Sequence, residues 1–269
     1  EEEFLKYSIP FFMDKTRGIL LNPFIEYIKS VLEVFLNNFN YQSVFHYLRS
    51  GLTDFRMDEV DDLENYILEL GIRGKRSWTR VFAGKTKLMK KDESAIDTLN
   101  YLNSLRERMI VSLEPVLKGT SEDGLIEMNP ATLFPVKEYI YRLYTFIVQN
   151  RISEKLSVYE TMFHEKENFT KEKEYAQIYR LIMELFDQII DLIGEEKMSI
   201  REFSDILDAG FNEIEVGSIP QSVDRVIVGD MERTRLKPIK YLFFLGINDG
   251  FIPKNGNKGG IISDMEREF

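Results

Sequence analysis

Two short apolar runs near the end of the chain, Val226–Val228 and Tyr241–Leu245, constrain its fold more than any other feature. Each is followed by a glycine, Gly229 and Gly246, and a charged connector joins them. Runs this short, rich in Val, Ile and Phe and bounded by turn residues, read as buried strands. Almost everything before them is helical in pattern, so a small α/β core must be completed from elsewhere. The opening supplies a candidate. Tyr7 to Phe12 reads as a strand, demoted to an edge or a strand end by Pro10, which has no N–H to donate. If the three share one sheet, residues 1–38 and 216–269 form a sheet domain and residues 39–215 a helical insertion.

The helical stretch can be read element by element. Asn22 is a fitting N-cap with Pro23 at the first helical position, and Leu21, Phe24, Ile25, Ile28, Val31, Leu32 and Phe35 follow at helical spacing. A second helix runs from about Asp61 to Leu70, with Leu63, Tyr66, Ile67 and Leu70 on one face. Asp92 caps a long helix carrying Ile96, Leu99, Leu102, Leu105, Met109, Leu113 and Leu117. Another follows Pro135 through Tyr139, Leu143, Phe146 and Ile147. From Lys171 a helix carries Ile178, Ile182, Leu185, Phe186, Ile189 and Ile193 and stops at Gly194. Ser199-x-x-Glu202 is a capping box opening a helix that ends at Gly210. Such stripes are core faces. Lys118 to Pro130 (KGTSEDGLIEMNP) reads as a flexible loop. The fold class is therefore mainly α with a small α/β part.

Charge narrows the function. The net charge of −10 argues against a free-standing, nonspecific nucleic-acid binder, because such a chain repels a phosphate backbone on average. The charge is uneven, however. Gly71 to Lys91 (GIRGKRSWTRVFAGKTKLMKK) holds Arg73, Lys75, Arg76, Arg80, Lys85, Lys87, Lys90 and Lys91 and no acidic residue. The only tryptophan, Trp78, lies among them, with Phe82 four residues on. Basic groups with interleaved aromatics suit a nucleic-acid strand, charges meeting phosphates and rings stacking on bases. The other reading is a solvated basic loop beside the acidic run Asp58 to Glu69, with Trp78 anchoring it into the core. Both stay open at this point.

Other chemistries find little support. Gly84-Lys85-Thr86 ends like a phosphate loop, but Thr79 stands where its first glycine should be; Gly71-x-x-Gly74-Lys75 is followed by Arg76. These glycines suit tight turns. The chain has no cysteine and two histidines, His46 and His164, so neither a Cys-ligated cluster nor a His-rich metal site is expected within it. His164-Glu165 begins like a zincin motif, but no second His follows. No apolar run is long enough to cross a bilayer and no secretory signal opens the chain, so a cytoplasmic protein without a membrane partner is expected. No nucleophile–base pairing suggests an independent hydrolase.

Four stretches carry a resemblance. They are SIPFFMDKTRGILLNPFIEYIKSVLE from Ser8, GIRGKRSW from Gly71, the run from Glu174 to Leu236, and KYLFFLGINDGFIP from Lys240. In this order they resemble the AddB/RexB subunit of AddAB-type helicase–nucleases, over essentially the whole chain. The resemblance implies a split RecA-like second motor domain of the UvrD and RecB type, interrupted by a large helical insertion. In such motors the loop between the two closing strands carries a Thr-x-His-x-x-Lys-Gly-like motif that couples nucleotide to DNA. Here that loop is Gly229 to Pro238; the His and the Lys-Gly pair are missing, so no ATP-coupling role is expected. Arg233 or Arg235 could still touch a phosphate, or the loop could be a surface turn with an ion pair from Asp230 or Glu232.

What the resemblance implies for function follows. These residues would be an internal stretch with no catalytic residue and no cofactor of their own. An AddA-type partner would supply the main motor, and the complex would process double-strand DNA ends for recombinational repair, using ATP, Mg2+ and an iron–sulfur cluster held outside these residues. The alternative is a helical protein-interaction scaffold with no direct DNA contact.

Overall fold

The computed structural model describes residues 2–7, 9–13, 17–84, 94–121, 124–127, 130–216, 226–229 and 240–245. Among them are ten helices and eight short strands. The chain divides into two compact units, Glu1–Asp14 with Asp224–Phe269, and Lys15–Val223.

In the first unit, helix α1 (Glu2–Lys6) leads into strand β1 (Phe11–Met13), which pairs in parallel with the last described strand, β8 (Val226–Val228), in the register Phe11↔Val226 to Met13↔Val228. The Val226 N–H donates to the Pro10 carbonyl (2.9 Å). The strand expected from Tyr7 starts only after Pro10. Before it the chain is still turning out of α1, with the Ile9 N–H bonded to the Phe4 carbonyl. β8 is a strand as expected but not a buried one, since Val226 is 44% exposed. Tyr241–Leu245, expected as a second buried strand, pairs with no strand among the described residues and is exposed throughout. An apolar run favours burial, but a strand also needs backbone partners, and among the described residues Tyr241–Leu245 has none.

The second unit is helical. Its remaining elements, in chain order, are β2 (Arg17–Gly18), α2 (Pro23–Leu36), α3 (Tyr41–Leu48), α4 (Met57–Leu70), α5 (Lys75–Thr79), α6 (Ser94–Leu117), β3 (Lys118–Ser121), β4 (Gly124–Glu127), β5 (Phe134–Pro135), α7 (Val136–Gln149), α8 (Ile152–Glu165), α9 (Phe169–Ile193), β6 (Lys197–Met198), α10 (Ile200–Glu213) and β7 (Glu215–Val216). β2 pairs antiparallel with β7, so the entry to and exit from the helical bundle lie side by side.

α2 is the core helix. Phe24, Ile25, Tyr27, Ile28, Val31 and Val34 are all fully buried, which requires apolar residues around most of its circumference. Asn22 caps it by accepting from the Phe24 N–H (2.9 Å) and holds α9 by donating to Glu174 (2.6 Å). Leu21, expected on the core stripe, is 90% exposed because it lies in the turn before the cap. Tyr27 stacks against Phe146 of α7 (5.0 Å) and tilts onto Tyr47 of α3 (5.5 Å). α8 and α9 form a helical hairpin, with Phe163 and Tyr159 against Tyr175.

Three further expectations change. α10 has the expected capping box, Ser199 and Glu202 bonded reciprocally, but runs on through Gly210 to Glu213. Gly210 permits close packing, not helix termination: a Cβ there would lie 2.8 Å from a methyl of Leu185 on α9. The loop expected over Lys118–Pro130 contains the antiparallel pair β3–β4, registered from Lys118↔Glu127 to Ser121↔Gly124. Polar composition suggested a loop, whereas four facing residue pairs satisfy backbone groups as a ladder. On α6, Leu102, Leu105, Met109, Leu113 and Leu117 are buried, while Ile96 in the first turn is 57% exposed; Asp92 lies outside the described residues.

Candidate nucleic-acid interface

The basic turn between α4 and α6 is built on two glycines. Gly71 ends α4 in the left-handed region (φ 62°, ψ 35°), and the Ile72 N–H reaches back to the Ile67 carbonyl (3.1 Å). Gly74 opens α5 at φ 79° and ψ 152°, a region essentially restricted to glycine. Two of the glycines that resembled phosphate-loop fragments, Gly71 and Gly74, thus serve turns; at Gly84 a Cβ would lie 2.6 Å from a methyl of Leu70, so that glycine permits a close approach instead. The Lys75 N–H beside Gly74 donates to the Asn38 side chain (3.3 Å).

Trp78, offered above as a base-stacking candidate, is instead fully buried, against Phe45 (6.4 Å) and Phe82 (6.0 Å). Burying so large an apolar ring anchors the turn, and the packed ring is then closed to a base. Phe82 is also buried, at 5%. Asn103 of α6 clamps it by accepting from its N–H (2.8 Å) and donating to its carbonyl (2.9 Å). Arg106, itself nearly buried, donates to the Trp78 carbonyl (3.3 Å) and lies over the Phe82 ring. Tyr66 of α4 donates its hydroxyl to the Gly84 carbonyl (2.9 Å); burial pushes that hydroxyl's pKa up, against the opposing pull of the bond.

The clamp faces one way and the charges the other. Arg76 sits two positions from Trp78, about 200° around a helix, which places it opposite the buried ring. Arg73, Arg76 and Arg80 are exposed, and Lys75 is half-buried. Among the described residues, none of these three arginines makes an ion pair, whereas Arg49, Arg56, Arg108, Arg142 and Arg180 all do. The structure therefore brings Arg73, Arg76 and Arg80 together on one short turn. Lys85, Lys87, Lys90, Lys91, Arg233 and Arg235 lie outside the described residues.

Asn38, Asn103 and Arg106 give no sign of these roles in the sequence, and Tyr66 is legible there only as part of a core stripe. Each acts at long sequence separation, and an asparagine inside a helix carries no local sign of what it clamps. Behind the turn, Arg49 grips Glu64 with two bonds (2.9 and 2.7 Å) and crosses the Phe45 ring that supports Trp78. The Arg49 guanidinium holds the Glu64 carboxyl down at a pKa of about 2, helped by the Tyr41 hydroxyl. Among the described residues no group of His, Cys, Asp or Glu could hold a metal ion, and a cysteine-free chain offers no thiolate to an iron–sulfur cluster. No described helix is long and apolar enough to cross a membrane.

No family model matches the chain. Curated relatives do. A protein of Lachnoclostridium phytofermentans, named as the B subunit of an ATP-dependent helicase/deoxyribonuclease, is 42% identical over 265 residues, covering 97% of this chain and 22% of that protein. Proteins of the same name from Clostridium botulinum (strain Langeland) and Caldanaerobacter subterraneus subsp. tengcongensis are 38% and 35% identical, each over 99% of this chain and 22% of their own length. The chain thus spans about a fifth of the length of these relatives. Along nearly all of its length the chain belongs with the AddB family, the B subunits of ATP-dependent helicase/deoxyribonucleases, matching one continuous stretch of them.

Proposed function

We propose that the chain is a helicase-like, non-motor portion of the AddB component of an ATP-dependent helicase/exodeoxyribonuclease, one that processes double-strand DNA ends for recombinational repair in the cytoplasm. In this reading an AddA-type protein is its partner and drives translocation. ATP, Mg2+ and the iron–sulfur cluster are bound outside these residues. The sheet parts, residues 1–38 with 216–269, belong to a split RecA-like second motor domain, and residues 39–215 are its helical insertion. The parallel pairing of β1 with β8 across the helical stretch supports a sheet split by that stretch, whereas α2 (Pro23–Leu36) packs in the core of the helical unit and moves the first boundary from residue 38 toward Asp14.

The observation that carries the DNA reading is the exposed Arg73, Arg76 and Arg80 on a clamped turn, without an ion pair among the described residues of a chain of net charge −10. Clustered exposed cations without a carboxylate partner are available to an external anion. The test is fluorescence anisotropy with labelled single-stranded DNA at low salt. The variant with Arg73, Lys75, Arg76 and Arg80 changed to alanine is expected to bind at least tenfold more weakly. Equal binding by variant and parent sinks the reading.

One observation favours the scaffold alternative. Tyr141, Tyr144 and Val148 line an exposed stripe on α7, at 59, 48 and 49% exposure, and exposed aromatic stripes suit protein contacts. Co-purification with an AddA-type protein that is lost in Tyr141→Ser/Tyr144→Ser, with no DNA affinity in either state, selects that reading.

A further inference from the structure

We infer that the basic turn grips the phosphodiester backbone of a nucleic-acid strand and reads no base. This rests on the DNA-facing reading above and deepens it, because a basic stretch with interleaved aromatics has two ways to hold a strand, and the structure separates them. Stacking needs a ring face open to solvent. Trp78 is fully buried and Phe82 nearly so, each packed against other rings. The aromatic half of the pattern is therefore spent on anchoring the turn.

Three of the cations have no ion pair among the described residues. Arg73, Arg76 and Arg80 point away from the anchor, have no carboxylate partner among the described residues, and sit on backbone fixed from both ends. With the backbone already fixed, only side-chain freedom is lost when they meet an anion, and the planar fork matches a phosphate's paired oxygens. Arginine only donates, so the one base edge these three could read is an acceptor pair such as guanine O6 and N7, whereas every nucleotide of any sequence presents them with phosphate oxygens.

The test uses the 269-residue chain, a labelled oligothymidylate and an abasic oligomer of the same length, titrated over a salt series. Trp78 emission is read in parallel, since it is the only tryptophan. The two oligomers are expected to bind within about twofold of each other, with Trp78 emission unchanged. Arg73→Ala/Arg76→Ala/Arg80→Ala is expected to reduce the slope of log K against log salt by about 2, from three phosphate contacts at about 0.7 each. An unchanged Trp78 emission maximum in that variant shows that the anchor is intact. Abasic binding tenfold weaker, or quenching of Trp78 by thymine bases, overturns the inference and leaves DNA contact standing. Failure of the parent chain to bind either oligomer, or an unchanged slope in the variant, removes the DNA-facing reading and the inference with it.

Discussion

Replacing Asn103 with alanine is expected to destabilise the helical unit by about 2 kcal/mol. The carboxamide uses its full hydrogen-bonding capacity: it donates to the Phe82 and Leu99 carbonyls (both 2.9 Å) and accepts from the Phe82 N–H (2.8 Å) and from Arg106 (3.2 Å). Two of the four bonds are replaceable. The Leu99 carbonyl already belongs to the ladder of α6, and Arg106 keeps its bond to the Trp78 carbonyl. The two bonds to Phe82 are not, because that residue is itself buried in an otherwise exposed loop and has no other partner for either backbone group among the described residues. At about 1 kcal/mol net per bond, their loss sums to about 2 kcal/mol. For a unit of this size that lowers the melting temperature by about 4–8 °C. Urea unfolding followed through Trp78, 25 residues before Asn103 and part of the same anchored turn, measures it directly. Asn103→Asp is the diagnostic companion. It keeps an oxygen for the Phe82 N–H but turns its other carboxylate oxygen toward the Phe82 and Leu99 carbonyls, so near neutral pH it is expected to be at least as damaging as alanine. An Asn103→Ala variant within about 0.5 kcal/mol of the parent, or an Asp variant as stable as the parent, refutes the clamp.

Other expectations follow from the same region and its surroundings. Gly74→Ala forces a side chain into backbone that glycine alone adopts readily and is expected to cost about 1–3 kcal/mol. Gly71→Asn, at an ordinary left-handed cap, is expected to cost less; urea midpoints in the reverse order would refute the turn geometry. Glu64 has its pKa lowered to about 2 by Arg49, so its contribution is complete above the ordinary carboxylate value of 4.5 and is lost as pH falls from there toward 2. Glu64→Gln should therefore be destabilised at neutral pH, with the gap to the parent shrinking through that window; an equal gap at pH 7 and pH 3 contradicts the assignment. Ser199→Ala is expected to lower stability by about 1 kcal/mol through loss of the α10 cap, and a calorimetric scan showing no shift counts against it.

The elements legible in the sequence were those specified by adjacent residues. Asn22-Pro23 and Ser199-x-x-Glu202 place helix starts because the capping atoms and the groups they satisfy lie within three residues of one another. The stripes of α7 and α9 were equally plain, since periodicity is local. Features decided at a distance were not. Gly210 looked like a helix stop, yet what it accommodates is Leu185 on another helix. Helices α3 and α8 were passed over; each is short or weakly striped, and each is held by long-range contacts such as Tyr47 to Ser112 and Lys155 to the Leu52 carbonyl. The basic turn was visible as charge, but charge and aromatic content cannot say which way a ring points. That depended on Asn103 and Arg106, supplied by a helix whose residues begin beyond the turn.

The antiparallel pair β2–β7 has a kinetic consequence for the strands outside it. Met13 and Val226 are roughly 210 residues apart in the chain, and closing a loop of that length in an unfolded polymer is entropically unfavourable. Once Arg17–Gly18 and Glu215–Val216 have met, the path between β1 and β8 shortens to about 14 residues, a gain of about 2.4 kcal/mol from the logarithmic dependence on loop length. The helical unit should therefore assemble first and act as a splint. Hydrogen-exchange protection in a refolding pulse is then expected at Val31 and Ile182 before Ile227, the parallel pair forming as the last step of folding.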